Sequence, residues 1–188
     1  MATFSQFFVA WQKEAKPKQF YWLCGHEKIL IEDIVQTIKT HLNLPHWNTV
    51  PAVLGTIKER EMWSEVEQYP IDNTARLVIV RNAEKIEDKD RIIRLLKERS
   101  AHPSTTVIFI SNAEALPRIP LEDNKTVLED HIAVFSGQRG SAVECKPFTE
   151  ATAKHAVAWV LSKVEMRPGV AAHLLNRSDG NLTLVRDI

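Results

Sequence analysis

Gly25-His26-Glu27-Lys28 is where a nucleotide would be sought in this 188-residue chain. The segment follows the apolar run Phe20–Cys24 and opens a helical pattern. A strand that ends in glycine at the start of a helix turns backbone N–H groups toward a phosphate. A complete triphosphate cradle reads G-x-x-x-x-G-K-[ST]. Its glycines let the backbone wrap the phosphates, its lysine neutralises charge and its hydroxyl holds magnesium. Here the same place reads Gly25-His26-Glu27-Lys28-Ile29-Leu30. The second glycine and the hydroxyl are absent, and Glu27 puts negative charge at the mouth. Lys28 remains, but a lone lysine is what any solvated helix face carries. Gly25, His26, Glu27 and Lys28 therefore read as a degenerate nucleotide site.

A second test concerns magnesium. In nucleotide hydrolases built this way, a strand of four apolar residues ends in carboxylates that hold the ion and activate water. Here Leu77-Val78-Ile79-Val80 runs into Arg81-Asn82, a cation where a carboxylate is needed. The histidines, His26, His41, His46, His102, His131, His155 and His173, form no HxxxH or HxH pair. There is no G-x-S-x-G nucleophile turn. Glu65 and Glu67 share one helix and read as a solvated face. No catalytic residue, metal ligand or cofactor is expected. Cys24 and Cys145 show no metal-binding spacing and read as buried free thiols of a reducing compartment.

The bulk numbers agree with an ordinary globular chain. Hydrophobic residues make up 44% and charged residues 26%. The formal net charge is zero, from 24 basic and 24 acidic side chains. Autonomous nucleic-acid binding usually shows as a basic excess, so contact with DNA is expected only indirectly, through partners. The first ten residues lack a basic n-region and a long apolar run, so no signal peptide is expected. No segment approaches the roughly 18 apolar residues of a membrane span. A cytoplasmic protein with no membrane association is the expectation.

These residues must be positioned by elements that alternate. Phe4, Phe7, Phe8 and Trp11 predict an amphipathic helix over Thr3–Glu14. Phe20–Cys24 reads as a strand. A helix from Glu27 buries Ile31, Ile34, Val35 and Ile38 and closes at Asn43–Pro45. Trp47–Leu54 reads as a second strand, and a helix from Thr56 or Lys58 runs to about Gln68. Arg76–Arg81 (RLVIVR) and Thr105–Ile110 (TTVIFI) are the clearest strands, separated by a helix over Glu87–Arg99. Lys125–His131 reads as a short helix and Ser141–Lys146 as a last strand. The alternation predicts a mostly parallel sheet flanked by helices in three αβα layers. After Pro147 the pattern turns helical, with Val157 and Val160 in one helix, Pro168 opening another and Asn181–Ile188 beginning a third.

The order of these pieces resembles the delta subunit of the bacterial DNA polymerase III clamp loader. The resemblance rests on Phe20-Tyr21-Trp22-Leu23-Cys24-Gly25-His26-Glu27, on Ala75-Arg76-Leu77-Val78-Ile79-Val80-Arg81-Asn82-Ala83-Glu84-Lys85 and on Thr106-Val107-Ile108-Phe109-Ile110-Ser111. Val143-Glu144-Cys145-Lys146-Pro147-Phe148, Trp159-Val160 and Gly180-Asn181-Leu182 complete it. It spans about residues 20–188, and the order and spacing are more specific than any one piece. It implies an AAA+-like α/β domain over 1–148 that has lost its ATP chemistry. A small helical, lid-like domain would follow over 149–188, and it reads as incomplete.

The resemblance further implies a non-catalytic part in DNA replication, binding and opening the ring-shaped sliding clamp beside the other clamp-loader subunits. In that family an apolar tip before the RLVIV-like strand enters a pocket on the clamp. The matching residues are Tyr69, Pro70 and Ile71, with Gln68. Side-chain chemistry alone leaves two readings open: an exposed anchor stiffened by proline, or Tyr69 and Ile71 folded inward as a staple. Two departures stand out. The family's collar domain is absent, so the chain reads as a fragment or a shortened relative, and Arg118–Asn124 matches no motif. The alternatives are a divergent P-loop ATPase using Lys28, and an adaptor that docks through the Phe4/Phe7/Phe8/Trp11 face.

Overall fold

The computed structural model describes residues 2–13, 17–70, 74–98, 102–112, 140–147, 157–160 and 169–178. In chain order the elements are β1 (Ala2–Thr3), α1 (Phe4–Lys13), β2 (Phe20–Cys24), α2 (Lys28–Leu42), β3 (Thr49–Val53), α3 (Glu59–Glu67), β4 (Arg76–Arg81), α4 (Lys89–Glu98), β5 (Thr105–Ser111), β6 (Gly140–Glu144) and α5 (Val170–Arg177). The six strands form one sheet in the order β1-β6-β2-β5-β4-β3, and every pair is parallel.

Successive side chains of a strand point to opposite faces, and both faces here are covered. Tyr21, Leu23, Leu77, Ile79, Ile108, Ile110 and Val143 pack with Phe4 and Phe7 of α1 and Leu30, Ile31, Ile34, Val35 and Ile38 of α2. The residues between them, Phe20, Trp22, Cys24, Val78, Val80, Val107, Phe109 and Ala142, pack with Met62, Trp63 and Val66 of α3 and Ile92 and Leu95 of α4. Burial on both sides is why the central strands read as unbroken apolar runs. Cys24 and Cys145 are both free and buried, and they belong to opposite faces of the sheet.

Local chemistry sets the helix ends. Thr3 and Gln6 form a reciprocal pair at the start of α1: the Gln6 N–H donates to Thr3 Oγ1 and the Thr3 N–H to Gln6 Oε1. Asn43 ends α2 in the left-handed conformation (φ 47°), its N–H donating to the Lys39 carbonyl. Glu59 accepts hydrogen bonds from Trp63 Nε1 and from the Glu87 and Asp88 N–H groups, tying α3 to the approach of α4.

Three expectations change. The aromatic face of α1 turns half inward: Phe4 and Phe7 are buried, Phe7 edge-on to Tyr21 and Phe4 edge-on to Trp159, while Phe8 and Trp11 are partly buried. Trp47 lies in a short 3-10 turn, His46–Asn48, ahead of β3. The strand Ala2–Thr3, paired with Val143–Glu144, extends the sheet beyond β6. β3 is an edge strand, which is where Pro51 can sit. Residues 157–160 are helical, Val160 is buried, and Trp159 Nε1 donates to Asp33 Oδ2 at 2.8 Å. The helices read over Lys125–His131 and Asn181–Ile188 lie outside the described residues. Among the described residues no helix is long and apolar enough to cross a membrane.

Candidate functional site

In an open parallel sheet, ligands gather at the carboxyl ends of the strands. Here the chain itself closes on that edge beyond β2. Gly25 has φ +124°, and a Cβ added to it would lie 2.2 Å from the Cys145 carbonyl oxygen. Only glycine fits. The same Cys145 carbonyl accepts the Glu27 N–H at 3.2 Å, and the Cys145 N–H donates to the Cys24 carbonyl at 2.7 Å. The turn after β2 is thus stitched to the chain leaving β6. Of the four residues read as a nucleotide site, Gly25 and Glu27 are buried, whereas His26 and Lys28 are exposed. Glu27 is the residue at the N-terminal cap of α2, the helix end where an external anion would otherwise be favoured.

Arg81 stands at the end of β4, opposite Ile110 of β5. Its guanidinium grips Glu32 of α2 with two hydrogen bonds, Nη1–Oε1 at 2.7 Å and Nη2–Oε2 at 3.1 Å. That pairing raises the Arg81 pKa above its ordinary value. Next to it, Asn82 adopts the left-handed conformation (φ 59°) and donates to the Leu54 carbonyl. Asn112, past the end of β5, bonds Asn82 and Glu84. Among the described residues no group of three or more His, Cys, Asp or Glu side chains could hold a metal ion. The thiols beside this edge are poor nucleophiles. Burial, then the nearby Glu144, pushes Cys24 up to about 11. Burial, reinforced by Cys24, Glu27 and Glu144, pushes Cys145 further above its ordinary value.

The other sequence-read site lies at the opposite, amino edge. Gln68, Tyr69 and Pro70 link α3 to β4; Ile71 lies outside the described residues. Tyr69 is 74% exposed, while Pro70 beneath it is buried. Between an outward anchor and an inward staple, Tyr69 takes the first. Its ring leans on the His102 ring, edge to face, with centroids 5.2 Å apart. Gln68 is held from below: Arg76 Nη1 donates to its Oε1 at 2.8 Å, and Arg76 Nη2 pairs with Glu65 of α3. The Arg76 side chain is only 6% exposed. Sequence reasoning saw Arg76 as a strand end and missed this role. The available signal was Glu65 and Gln68, three apart on one side of α3, ready to meet a cation. The five steps from Arg76 to Arg81 separate the two edges by roughly 16 Å.

No family model matches the chain, and no curated protein matches it. Solved structures do. The Bacillus subtilis DNA clamp loader delta protein, YqeN, superposes with a TM-score of 0.65 at 19% identity, covering 96% of this chain and 55% of its own length. The Thermotoga maritima RuvB Holliday junction branch migration motor superposes with a TM-score of 0.51 at 13% identity, covering 97% of this chain and 56% of its own. The chain thus spans little more than half the length of these neighbours. At such identities the likeness is one of fold: an α/β parallel sheet with flanking helices, shared with a clamp loader delta protein and a branch migration motor.

Proposed function

We propose that this chain acts as a delta-like clamp-loader subunit, binding and opening a sliding clamp by contact and without ATP hydrolysis. The observation that carries the reading is Tyr69, turned outward on a tip anchored by buried Pro70 and by the Arg76–Gln68 hydrogen bond. An exposed aromatic on a rigid loop is the kind of residue that dominates an interface. The clamp-binding set is Gln68, Tyr69, Pro70 and Ile71. The shared fold with a DNA clamp loader delta protein supports the choice of partner.

The carboxyl edge supports the non-catalytic half of the proposal. Glu27 N–H already has an acceptor, and Arg81 is paired with Glu32 where a metal-binding carboxylate would be required. The ATPase alternative retains only Lys28. Other clamp-loader subunits are the further partners, DNA is reached through them, and the cytoplasm is the working compartment. The α/β domain over 1–148 and a lid-like helical domain over 149–188 complete the proposal.

The test is capture by the cognate clamp. Wild-type chain is retained, and Tyr69→Ala with Ile71→Ala is not, while circular dichroism stays unchanged. A folded wild-type chain that ignores the clamp sinks the reading. Micromolar binding of magnesium–ATP abolished by Lys28→Ala would favour the ATPase instead.

A further inference from the structure

Two aromatic side chains stand exposed among the described residues, Tyr69 and, at 62%, Trp47. They lie on the same edge of the sheet. Trp47 sits in the turn that leads into β3, and Thr49 pairs with Leu77 of β4. Tyr69 leans on His102, just ahead of β5, and Arg76 pairs with Thr105. Along the amino edge, β3, which follows Trp47, and β5, which follows His102, are two strand spacings apart, roughly 10 Å.

They are also mechanically joined. Asn48, next to Trp47, is buried and its Nδ2 donates to Thr74 Oγ1, in the segment that runs from the tip into β4. Trp47 is held in turn by an edge-on contact with His46, centroids 4.9 Å apart. Each exposed ring thus contacts an imidazole, and one side-chain hydrogen bond links the turn under Trp47 to Thr74, two residues before β4. A tryptophan already leaning on a neighbour loses less freedom when a partner covers it than one free in water.

Area points the same way. A large aromatic offers on the order of 150–250 Å², so these two rings present together roughly 300 Å². A stable interface takes roughly 800 Å² from each partner. A single tyrosine falls far short, and Trp47 about doubles the aromatic seed. We infer that Trp47 is a second anchor for the protein partner that takes Tyr69, so that the partner is gripped at two points along the amino edge. The inference rests on the clamp-binding reading of the tip. The partner surface that fits is a protein face with two apolar recesses rimmed by hydrogen-bond acceptors, facing His46 and His102.

The experiment titrates the 188-residue chain onto immobilised cognate clamp. Trp47→Ala and Tyr69→Ala are each expected to raise Kd on the order of tenfold or more. Val9→Ala, exposed on α1, leaves it unchanged. Trp47→Phe keeps most of the affinity and, by difference, isolates Trp47 emission, which shifts to the blue when clamp is added. Trp47→Ala binding like wild type while Tyr69→Ala is weakened overturns the second anchor and leaves the clamp reading standing. A wild-type chain that does not bind the clamp removes both. Trp47 emission that answers to a single-stranded oligonucleotide and not to the clamp overturns the inference in favour of a nucleic-acid partner.

Discussion

Glu32 and Arg81 meet as a two-pronged ion pair that joins the second turn of α2 to the carboxyl end of β4. The pair occupies the edge where an α/β sheet usually receives its ligand. Arg81 is 39% and Glu32 52% exposed, so solvent screens most of the attraction. Glu32→Gln is expected to cost no more than about 1 kcal/mol in urea unfolding. Calorimetry should find no magnesium–ATP binding before or after the change, because freeing Arg81 supplies no metal ligand.

Gly25→Ala should be far more damaging. It forces a left-handed φ on a residue with a Cβ and drives that Cβ into the Cys145 carbonyl. A loss of about 3 kcal/mol or more is expected, with strain and clash together. A urea midpoint close to wild type would show that the turn after β2 is not stitched to β6 as described.

Tyr69→Ala separates binding from folding. The ring is largely in water, so stability should move by no more than about 0.5 kcal/mol. Clamp affinity should fall on the order of tenfold or more. Equal stability with equal affinity would remove Tyr69 from the interface.

Arg76 acts on the tip from beneath it. Arg76→Ala removes the donor to Gln68 and the partner of Glu65 from a buried position. The expected cost is about 1–3 kcal/mol, with a matching loss of clamp binding. Arg76→Lys should rescue poorly, since an ammonium cannot reach two acceptors as a planar fork does. Full rescue by lysine would mean that charge alone matters there.

Alkaline pH should unfold the protein early. Cys24 ionises near its ordinary value of 9.0 when unfolded but only at about 11 when folded. Above pH 9 the unfolded chain therefore binds fewer protons than the native one, and stability falls as pH rises toward 11. Tyr21, raised from 10.0 to about 12 by burial, extends the loss through pH 10–12. Melting temperature followed from pH 8 to 11 should decline across that window. A flat profile would contradict the burial of these groups.

Where one segment's own residues decide its state, the sequence was enough. β2 and β4 fall where their apolar runs put them, Phe20–Cys24 and Arg76–Arg81, because a strand buried on both faces needs an unbroken apolar run through its middle. The α2 stripe of Ile31, Ile34, Val35 and Ile38 is buried as its helical spacing requires. Missing glycine and hydroxyl, and a cation after Val80, were likewise visible residue by residue.

What joins distant segments was not visible. The strand order, the two-residue pairing of Ala2–Thr3 with β6, and the grip of Glu32 on Arg81 all depend on chain folded between the partners. The Cys145 carbonyl that closes the Gly25 turn is a backbone atom, and every residue carries one. Whether Tyr69 turned out or in, and whether Trp47 was strand or exposed turn, rested on the same kind of decision. Short-range patterns set which residues are apolar, hence the elements and the layers; only the tertiary packing determines which side chains are left facing water, because burial is a property of neighbours brought from elsewhere in the chain.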